Sequence, residues 1–562
     1  MIFITLAYVT FLPIYQADEV IITYGLHPFD ICIEQPQLWD FMKKLYIFSF
    51  IFSDFIFCKF LYKRFFSLFN LKNIFADKKF LSKNIFKKEK NFSKNNSVEL
   101  SLIIGNDFSD GSVISVPTSG LYQNFLITGT IGSGKTSSAI YPFVNQFFGY
   151  NAKNPSNKMG MLILDVKGNF HKYVADTAEK YYLENDVIVI SLKNDMYYNP
   201  LDKPNLKAQV LANRLKTILT LFSENTTESY WLDKAEQILA ECIKLCRLYN
   251  DGYVTFSELH KLITIPNYYL EKIHVLRDLF ISDKFSQSQI YELNASLNFF
   301  EKEFNQLDSR TKNILISEIT RITNTFISDY DVCRTFCPQK EDLNFSGFTD
   351  VIQNGKIVVL DINVSEYSLL SKMVAAYLKL DFQTEVMSFL ANGNSRNSVF
   401  ICDEYDKFCT KTDADFFSMS REAKCINIVS TQSYSSLKHI LKHEASVKVI
   451  IQNLVNKIWF RTDDIFTIEE AQKQLGKEDK EKTSRSISES AKETKFSYIT
   501  NTLNSENSNI SETLSTVIQN DFIFDTNFFT RDLETFSALC FLSDGRRVFE
   551  PRKLRMIPYF KN

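Results

Sequence analysis

Short apolar runs that end in a polar or charged residue recur through the middle of the chain. They include FLIT (Phe125–Thr128), MLIL before Asp165, SVFIC before Asp403 and CINIVS before Thr431. Runs of this length, rich in β-branched and aromatic residues, are typical of buried strands in a sheet that is covered on both faces. They alternate with segments of helical spacing, so the pattern predicts an α/β fold.

The interval 204–353 has a different pattern, in which apolar residues recur at i, i+3, i+4 and i+7. The segment ESYWLDKAEQILAECIKLCRLY shows this spacing most clearly, and few strand signals lie around it. The spacing predicts an all-α segment between two groups of strands.

Two apolar stretches open the chain, Ile2–Tyr15 and Leu45–Phe57. Both are shorter than the roughly 20 residues that cross a bilayer, and Asp54 interrupts the second. Many lysines follow, up to Lys94, and by the positive-inside rule they would hold the rest of the chain in the cytoplasm. We therefore predict a membrane anchor of two short helices at 1–70 and a basic linker at 71–97. A soluble, Phe-rich helical cap remains the alternative.

Composition and net charge exclude few classes of binding partner. The chain has 562 residues, of which 45% are hydrophobic, and a formal net charge of −2. That length suits two to four domains, and the charge means that any nucleic-acid contact must come from local patches. The ten cysteines are scattered without zinc-site spacing, which indicates reduced thiols.

A phosphate-binding loop follows the first predicted strand. FLITGTIGSGKTSSAI matches G-x-x-x-x-G-K-[ST] between a strand and a helix start, the context in which the motif is specific. We predict that the loop binds ATP, that Lys135 reaches the β- and γ-phosphates, and that the Thr136 hydroxyl ligates Mg²⁺. The predicted nucleotide-binding residues are Gly129, Thr130, Ile131, Gly132, Ser133, Gly134, Lys135, Thr136 and Ser137.

A second magnesium-side carboxylate is needed at another strand end, and Asp165 and Asp403 both qualify. Only Asp403 is followed directly by a glutamate, Glu404, which can orient and polarise the attacking water. We therefore assign Mg²⁺ to Asp403 and water activation to Glu404. Asp165 is then expected on a strand that neighbours the P-loop strand, reached through the helix of a right-handed βαβ unit.

Two further residues are candidates for catalysis. Gln432 follows the strand at Cys425–Ser430, where a polar amide can sense the γ-phosphate. Arg421 precedes that strand and is a candidate arginine finger toward a neighbouring subunit. A surface salt bridge is the alternative role for Arg421.

Several segments together resemble one family, the type IV secretion coupling ATPases of the TraG/TraD-like conjugative DNA-transfer type. These segments, in the order of the family, are the P-loop Gly129–Thr136, DVKG (Asp165–Gly168), YNPLD (Tyr198–Asp202), SYWLDKAEQIL (Ser229–Leu239), GKIVVLDI (Gly355–Ile362), CDEYDKF (Cys402–Phe408), SREAKCINIVSTQS (Ser420–Ser433) and NKIWFRTDD (Asn456–Asp464). A generic P-loop protein would share the first and the DE strand but not the whole set.

The resemblance implies a membrane-anchored, hexameric motor of RecA-like fold with an inserted all-α domain. The motor domain would comprise 98–203, with the P-loop, and 354–477, with the all-α domain at 204–353 between them. The family signature after the second strand is closer to Asp-Pro-Lys-Gly-Glu, whereas Val166 and Asn169 stand here in place of the proline and the glutamate. We expect Lys167 near the nucleotide, as part of the wall of the site or a subunit contact.

The C-terminal part predicts two further features. Residues 478–520 are polar and read as a mobile loop or a long hairpin. Residues 521–562 form a basic hairpin of the motor domain that turns at Ser543–Gly545. Its arginines and lysines could line a pore or a subunit interface, or lie on a solvated edge hairpin.

The predicted function is that of a P-loop ATPase at the cytoplasmic membrane, with most of the chain on the cytoplasmic side. It would couple ATP hydrolysis to transfer of DNA, single-stranded and linked to a relaxase, into a type IV secretion channel. The expected partners are DNA bound without sequence preference, the relaxase or another secretion substrate, channel proteins, the membrane and further copies of the chain in a homo-hexamer. The alternatives are an ATPase that recruits protein effectors and a docking protein regulated by nucleotide.

Overall fold

The computed structural model describes residues 37, 40, 41, 44, 99–165, 169–222, 229–280, 286–393, 396–490, 495–497, 502–504 and 509–561. The chain divides into two units, Met1–Ser97 and Val98–Asn562. The predicted anchor stretches and the basic linker lie outside the described residues. Within the described part, none of the helices combines the length and apolarity needed to cross a bilayer.

The described residues of the second unit contain one large sheet. Its strands are β1 (Ser101–Asp107), β2 (Val113–Pro117), β3 (Phe125–Thr128), β4 (Gly160–Leu164), β5 (Val187–Ser191), β6 (Ile357–Asp361), β7 (Ser398–Cys402), β8 (Cys425–Thr431), β9 (Asn456–Trp459), β14 (Ser537–Phe541) and β15 (Arg552–Met556). Their order is β2-β1-β15-β14-β9-β3-β8-β7-β4-β6-β5. The strands from β9 to β5 are parallel, and the others pair antiparallel.

Both faces of the parallel part are buried. In β3, Leu126 belongs to the core on one face, while Phe125 and Ile127 belong to the core on the other. This alternation follows from the two-residue period of a strand. It explains why these strands read as continuous apolar runs in the sequence.

Helices cover the sheet and form the segment between β5 and β6. Those beside the sheet are α1 (Thr118–Leu121), α2 (Tyr141–Lys153), α3 (Phe170–Tyr181), α11 (Phe348–Asn354), α12 (Ser368–Ala391), α13 (Asp413–Met419), α14 (Tyr434–Leu441), α15 (Glu444–Asn453) and α16 (Ile465–Leu475). Those between β5 and α11 are α4 (Ala208–Phe222), α5 (Ser229–Tyr249), α6 (Phe256–Thr264), α7 (Tyr268–Phe280), α8 (Gln287–Asn298), α9 (Ser309–Phe326) and α10 (Tyr330–Phe336). A large shared core joins buried residues of these helices to one face of the sheet.

The strand order corrects one expectation from the sequence. The strand before Asp165, β4, does not neighbour the P-loop strand β3, because β8 and β7 lie between them. Instead, β4 pairs with β7 and β6. β8, which comes much later in the sequence, lies directly beside the P-loop strand.

The C-terminal hairpin lies inside the sheet rather than at its edge. β14 pairs with β9 and β15, and β15 pairs in turn with β1. Arg552 Nη1 lies 3.0 Å from the Asp107 carboxylate, and Lys553 and Arg555 lie over the Phe108 ring. The predicted position at a sheet edge is therefore wrong, although Arg552 and Arg555 are exposed, and these three basic side chains already have partners within the chain.

The polar run before that hairpin forms a long ribbon of two strands. β10 (Lys477–Ser490) pairs antiparallel with β13 (Asn509–Phe522) in one unbroken register. Two short strands, β11 (Lys495–Ser497) and β12 (Thr502–Asn504), pair between them. Of the two alternatives that the composition left open, the structure adopts the hairpin.

A buried ion pair fixes the loop after β7 to helix α12. Lys379 Nζ lies 2.6 Å from Asp413 Oδ2, and both side chains are fully buried. The Tyr405 hydroxyl and the Thr410 amide donate to the same carboxylate oxygen. Gln383, one turn along α12, donates to the other oxygen. Every oxygen of Asp413 is thus satisfied, as a buried carboxylate requires.

The same helix carries a second buried carboxylate that contacts the helical segment. Asp381 accepts from Arg214 of α4 at 2.8 Å and pairs with Lys203 at 2.8 Å. Burial alone would raise the pKa of Asp381, but Lys203 and Arg214 hold it below its ordinary value. Helix α12 therefore joins the loop after β7 to the helical segment through two charged networks.

Removing the Asp413 carboxylate should strongly destabilise the fold. In Asp413→Ala, Lys379 stays buried without its counter-charge, which costs about 3–5 kcal/mol. We expect the midpoint of urea unfolding, followed by tryptophan fluorescence, to fall markedly.

The matched control is Asp415→Ala, because Asp415 lies on the same helix but is exposed. Its unfolding free energy should stay within about 0.5 kcal/mol of the unchanged chain. Equal midpoints for the two variants would show that the buried pair contributes nothing to stability.

Candidate nucleotide site

The P-loop curls at the carboxyl end of β3 and leads into helix α2. Gly132 and Gly134 have φ angles of +76° and +102°, which residues with a Cβ rarely adopt. A short π-helix, Thr136–Ile140, follows and continues into α2. The Lys135 ammonium donates to the Thr130 carbonyl at 3.1 Å and to the Gly129 carbonyl, so its side chain arches over the loop.

A short hydrogen bond joins the P-loop to the end of β7. Thr136 Oγ1 donates to Asp403 Oδ2 at 2.6 Å, and the other Asp403 oxygen accepts from the Glu404 amide. Asp403 is only 3% exposed. The two predicted magnesium ligands thus lie in direct contact, although 266 residues separate them in the chain.

A pocket of about 300 Å³ opens over this hydrogen bond. It lies at the carboxyl ends of the parallel strands, the usual place for a ligand in an open α/β sheet. The residues that line it are Thr130, Ile131, Gly132, Gly134, Lys135, Thr136, Ser137, Tyr141, Asp403, Glu404, Ser430, Thr431, Gln432 and Tyr559. Most of the predicted site residues therefore meet in one cavity.

Two predicted P-loop residues do not line the pocket and support the loop from behind. A Cβ on Gly129 would lie 2.6 Å from the Phe460 Cβ, so only glycine fits beside that strand end. Ser133 is buried, and its hydroxyl donates to the Thr130 carbonyl. Their contribution is to the shape of the loop.

Glu404 reaches the pocket through an unusual backbone conformation. Its φ is +52°, in the left-handed region that residues with a side chain seldom adopt. The next residue, Tyr405, is held by the buried Asp413 carboxylate. That anchor fixes the turn on which Glu404 sits.

The end of β8 supplies the polar wall opposite the P-loop. Gln432 lines the pocket, and the Thr431 hydroxyl donates to Asp406 at 3.1 Å. Ser430 also lines the pocket, and its buried hydroxyl has no hydrogen-bond partner among the described residues. An unpaired buried hydroxyl is costly, so this wall suits a polar ligand.

Arg421 lies away from the pocket of its own chain. It is exposed, in the turn between α13 and β8, and therefore precedes the amino end of that strand. The pocket lies at the carboxyl end, and a seven-residue strand spans roughly 23 Å. Arg421 cannot act on the site of its own chain.

Asp165 is buried directly after β4, and its carboxylate lies near Tyr141. Burial raises the pKa of Tyr141 to about 12, and the nearby Asp165 and Asp403 carboxylates contribute to the shift. Tyr141 therefore keeps its proton at neutral pH. Val166 and Lys167 lie outside the described residues, and Asn169 precedes α3 as its N-cap.

Three aromatic residues at the site were not identified from the sequence. Tyr141 and Tyr559 line the pocket, and Phe536 packs against Gly134. Tyr141 lies one turn into the helix after the P-loop, and this short distance from the motif is a sequence signal that could identify it as a site residue. Tyr559 and Phe536 come from the C-terminal segment, and nothing local links them to the P-loop.

Alanine at Gly134 should destabilise the protein more than alanine at Gly132. Both positions have positive φ, which costs roughly 1–2 kcal/mol with a Cβ. A Cβ on Gly134 would also lie 2.6 Å from the Phe536 ring, whereas nothing lies within 4 Å of one on Gly132. Overpacking of this kind costs about 1–3 kcal/mol.

The measurement is the urea-unfolding midpoint of each variant. We expect Gly134→Ala to lie below Gly132→Ala, and the difference between the two glycine variants to shrink when both also carry Phe536→Ala. If the two glycine variants unfold at the same midpoint, the contact with the Phe536 ring adds nothing to the loss of stability.

Comparison with known proteins agrees with this architecture. Residues 397–521 match a family model described as the TraM recognition site of TraD and TraG. No curated protein sequence matches the chain.

Three solved structures of the coupling protein TrwB share the fold. The bacterial conjugative coupling protein TrwBdeltaN70, in an unbound form, aligns at 13% identity and a TM-score of 0.52, over 79% of this chain and 87% of that one. TrwB with the GTP analogue GDPNP aligns at 12% and 0.51, over 84% and 92%, and TrwB with ADP and Mg²⁺ at 12% and 0.51, over 83% and 96%. Together, the family model and this fold confirm the resemblance that the motifs indicated, to the TraG/TraD-like type IV coupling proteins.

Proposed function

We propose that the chain is an ATPase that couples hydrolysis of Mg-ATP to transfer of single-stranded, relaxase-linked DNA into a type IV secretion channel. The observation that carries the proposal is the contact between Thr136 and Asp403 beneath a pocket that also holds Lys135, Glu404 and Gln432. These are the parts that phosphoryl transfer to water requires.

The residues of the pocket fit ATP and Mg²⁺. The Thr136 hydroxyl and the Asp403 carboxylate are hard oxygen ligands of the kind that Mg²⁺ prefers. Glycine-rich backbone and Lys135 suit phosphate oxygens, and the unpaired Ser430 hydroxyl can serve a polar ligand. When bound, Mg²⁺ would neutralise charge that develops on the phosphates.

Three residues act on the reacting end of the nucleotide. Glu404 orients and polarises the attacking water, and its turn is held rigid through Tyr405. Gln432 contacts the γ-phosphate and loses that contact on hydrolysis, which moves the end of β8. Lys135 neutralises the β- and γ-phosphate oxygens.

The comparisons support a nucleotide and a protein partner by analogy. TrwB, of the same fold, has been crystallised with ADP and Mg²⁺ and with a GTP analogue. The model that matches residues 397–521 is named for TraM recognition by TraD and TraG, so we propose that this region also contacts a protein bound to the transferred DNA.

Assembly, location and cargo are proposed from the resemblance. The chain would form a hexamer at the cytoplasmic membrane, with most of its residues on the cytoplasmic side, and contact channel proteins. With a net charge of −2, its grip on DNA must come from local cations on the phosphate backbone, independent of base sequence.

ATP hydrolysis by the purified full chain tests the proposal. With Mg²⁺, the chain should hydrolyse ATP, and single-stranded DNA at low salt should raise the rate. Lys135→Ala should abolish ATP binding, because the phosphates lose their main cation. Glu404→Gln should still bind ATP but hydrolyse it roughly 100-fold more slowly or worse, since the amide cannot polarise water.

The outcomes separate the rival functions. Hydrolysis that DNA does not stimulate at low salt would favour the recruitment of protein effectors. ATP binding without hydrolysis, with or without DNA, would favour a docking protein. Normal hydrolysis by Glu404→Gln would show that Glu404 does not activate the attacking water.

Arg421 should act across a subunit interface. Among the described residues that line the pocket, Lys135 is the only cation, while Asp403 and Glu404 are both acidic. A triphosphate adds about four negative charges, which Lys135 and Mg²⁺ together would not balance, so a further cation would stabilise the transition state. We propose that Arg421 of the adjacent subunit supplies it.

Mixing two inactive variants tests this assignment. Arg421→Ala and Lys135→Ala should each lose most hydrolysis, but mixed rings contain interfaces with an intact Lys135 and an intact Arg421. We expect the mixture to recover part of the rate. The control is Arg531→Ala, which removes another exposed arginine and should hydrolyse ATP normally. No recovery in rings shown to be mixed would rule out action in trans.

A further inference from the structure

The C-terminal end of the chain places an aromatic ring in the pocket. Tyr559 begins a short 3₁₀ turn, Tyr559–Lys561, and lines the same cavity as Lys135 and Thr136. Among the described lining residues, Tyr141 and Tyr559 are the aromatic ones. The predicted site residues provide for the phosphates, the metal and the water, and Ile131 adds an exposed aliphatic side chain, but none of them provides an aromatic ring for a base.

Other aromatic rings hold Tyr559 from behind. Tyr141 and Tyr173 stack at 4.1 Å with their planes 10° apart, and Tyr559 meets both rings edge-on, at 5.1 Å and 5.5 Å. Tyr559 is nevertheless 41% exposed. Tyr141 is covered on two sides, so Tyr559 offers the open ring surface.

Backbone hydrogen bonds tie this segment to the P-loop itself. The Phe536 amide donates to the Ser133 carbonyl at 3.2 Å, and the Met556 amide donates to the Phe536 carbonyl at 2.8 Å. The ring of Phe536 contacts Gly134 on one side and Phe560 on the other. The position of Tyr559 is thus set relative to the loop that would hold the phosphates.

The geometry of the P-loop decides which end of the nucleotide meets Tyr559. The γ-phosphate must face Glu404, which activates the water, so the nucleoside leaves the loop past Ser137. Tyr141 follows Ser137 by about one helical turn and therefore lies on the same face. Tyr559 packs edge-on against Tyr141 and extends that face into the pocket.

We propose that Tyr559 is the stacking wall for the base of the bound nucleoside triphosphate. This inference rests on the proposed nucleotide site. Stacking uses the π-face that every base presents, so the wall should support adenine and guanine alike. Base stacking on an aromatic side chain is worth roughly 1–3 kcal/mol per base.

Binding of ATP and of inorganic tripolyphosphate tests the wall, because the second ligand lacks a base. The measurements use the full chain with Glu404→Gln, in which hydrolysis should be slow enough for binding to be measured. Adding Tyr559→Ala should weaken ATP and GTP binding about tenfold and change the Kd of tripolyphosphate less than twofold. Tyr559→Phe, which keeps the ring, should bind all three ligands as before.

The controls separate stacking from damage to the loop. Tyr330→Ala removes another exposed tyrosine, at the start of α10, and should bind ATP normally. Equal weakening of ATP and tripolyphosphate would overturn the proposal, because Tyr559 would then only support the P-loop. Unchanged ATP affinity in Tyr559→Ala would also overturn it. Failure of the parent chain to bind either ligand would contradict the proposed function instead.

Discussion

The hydrogen bond from Thr136 to Asp403 can form only because several strands of the sheet have the right order and direction. It joins the ends of β3 and β7, and these strands are not neighbours, because β8 lies between them. All three strands must be parallel and end at one edge for the two oxygens to meet. The same arrangement places Gln432, which follows β8, in the lining of the same pocket. The order of the strands therefore determines the site more directly than any single motif does.

Helix α12 shows why charges are buried in this fold. Its Lys379 pairs with Asp413 beneath the Glu404 turn, and its Asp381 pairs with Arg214 of the helical segment. Apolar residues of the same volume can give equal stability at such positions. A charged pair, however, has far fewer satisfactory arrangements than an apolar contact, so it defines one position for the loop. Both pairs lie on one helix, so α12 contacts both the residues that anchor the Glu404 turn and the helical segment.

The features that could be predicted from the sequence are those with local signals. The P-loop is contiguous, and Asp403–Glu404 follows a buried strand, so their positions at the pocket could be predicted without a structure. The order of β8, β7 and β4 was not, because pairing of parallel strands depends on contacts between residues far apart in the chain. The contact of Phe536 with Gly134 is of the same kind. The long β10–β13 ribbon has a polar composition typical of loops, and only its register shows it to be paired.

The two edges of the parallel sheet have different electrostatic requirements. At the carboxyl edge, the pocket combines one lysine, Lys135, with Asp403 and Glu404, and buried Asp165 lies close by. A triphosphate there is under-compensated even with Mg²⁺ bound. At the amino edge, Arg421 is exposed and lies away from the pocket of its own chain. The Arg421 side chain can approach a pocket only if the amino edge of one chain lies against the carboxyl edge of another. In the proposed hexamer, Arg421 could complete a neighbouring site only if the chains were arranged head to tail.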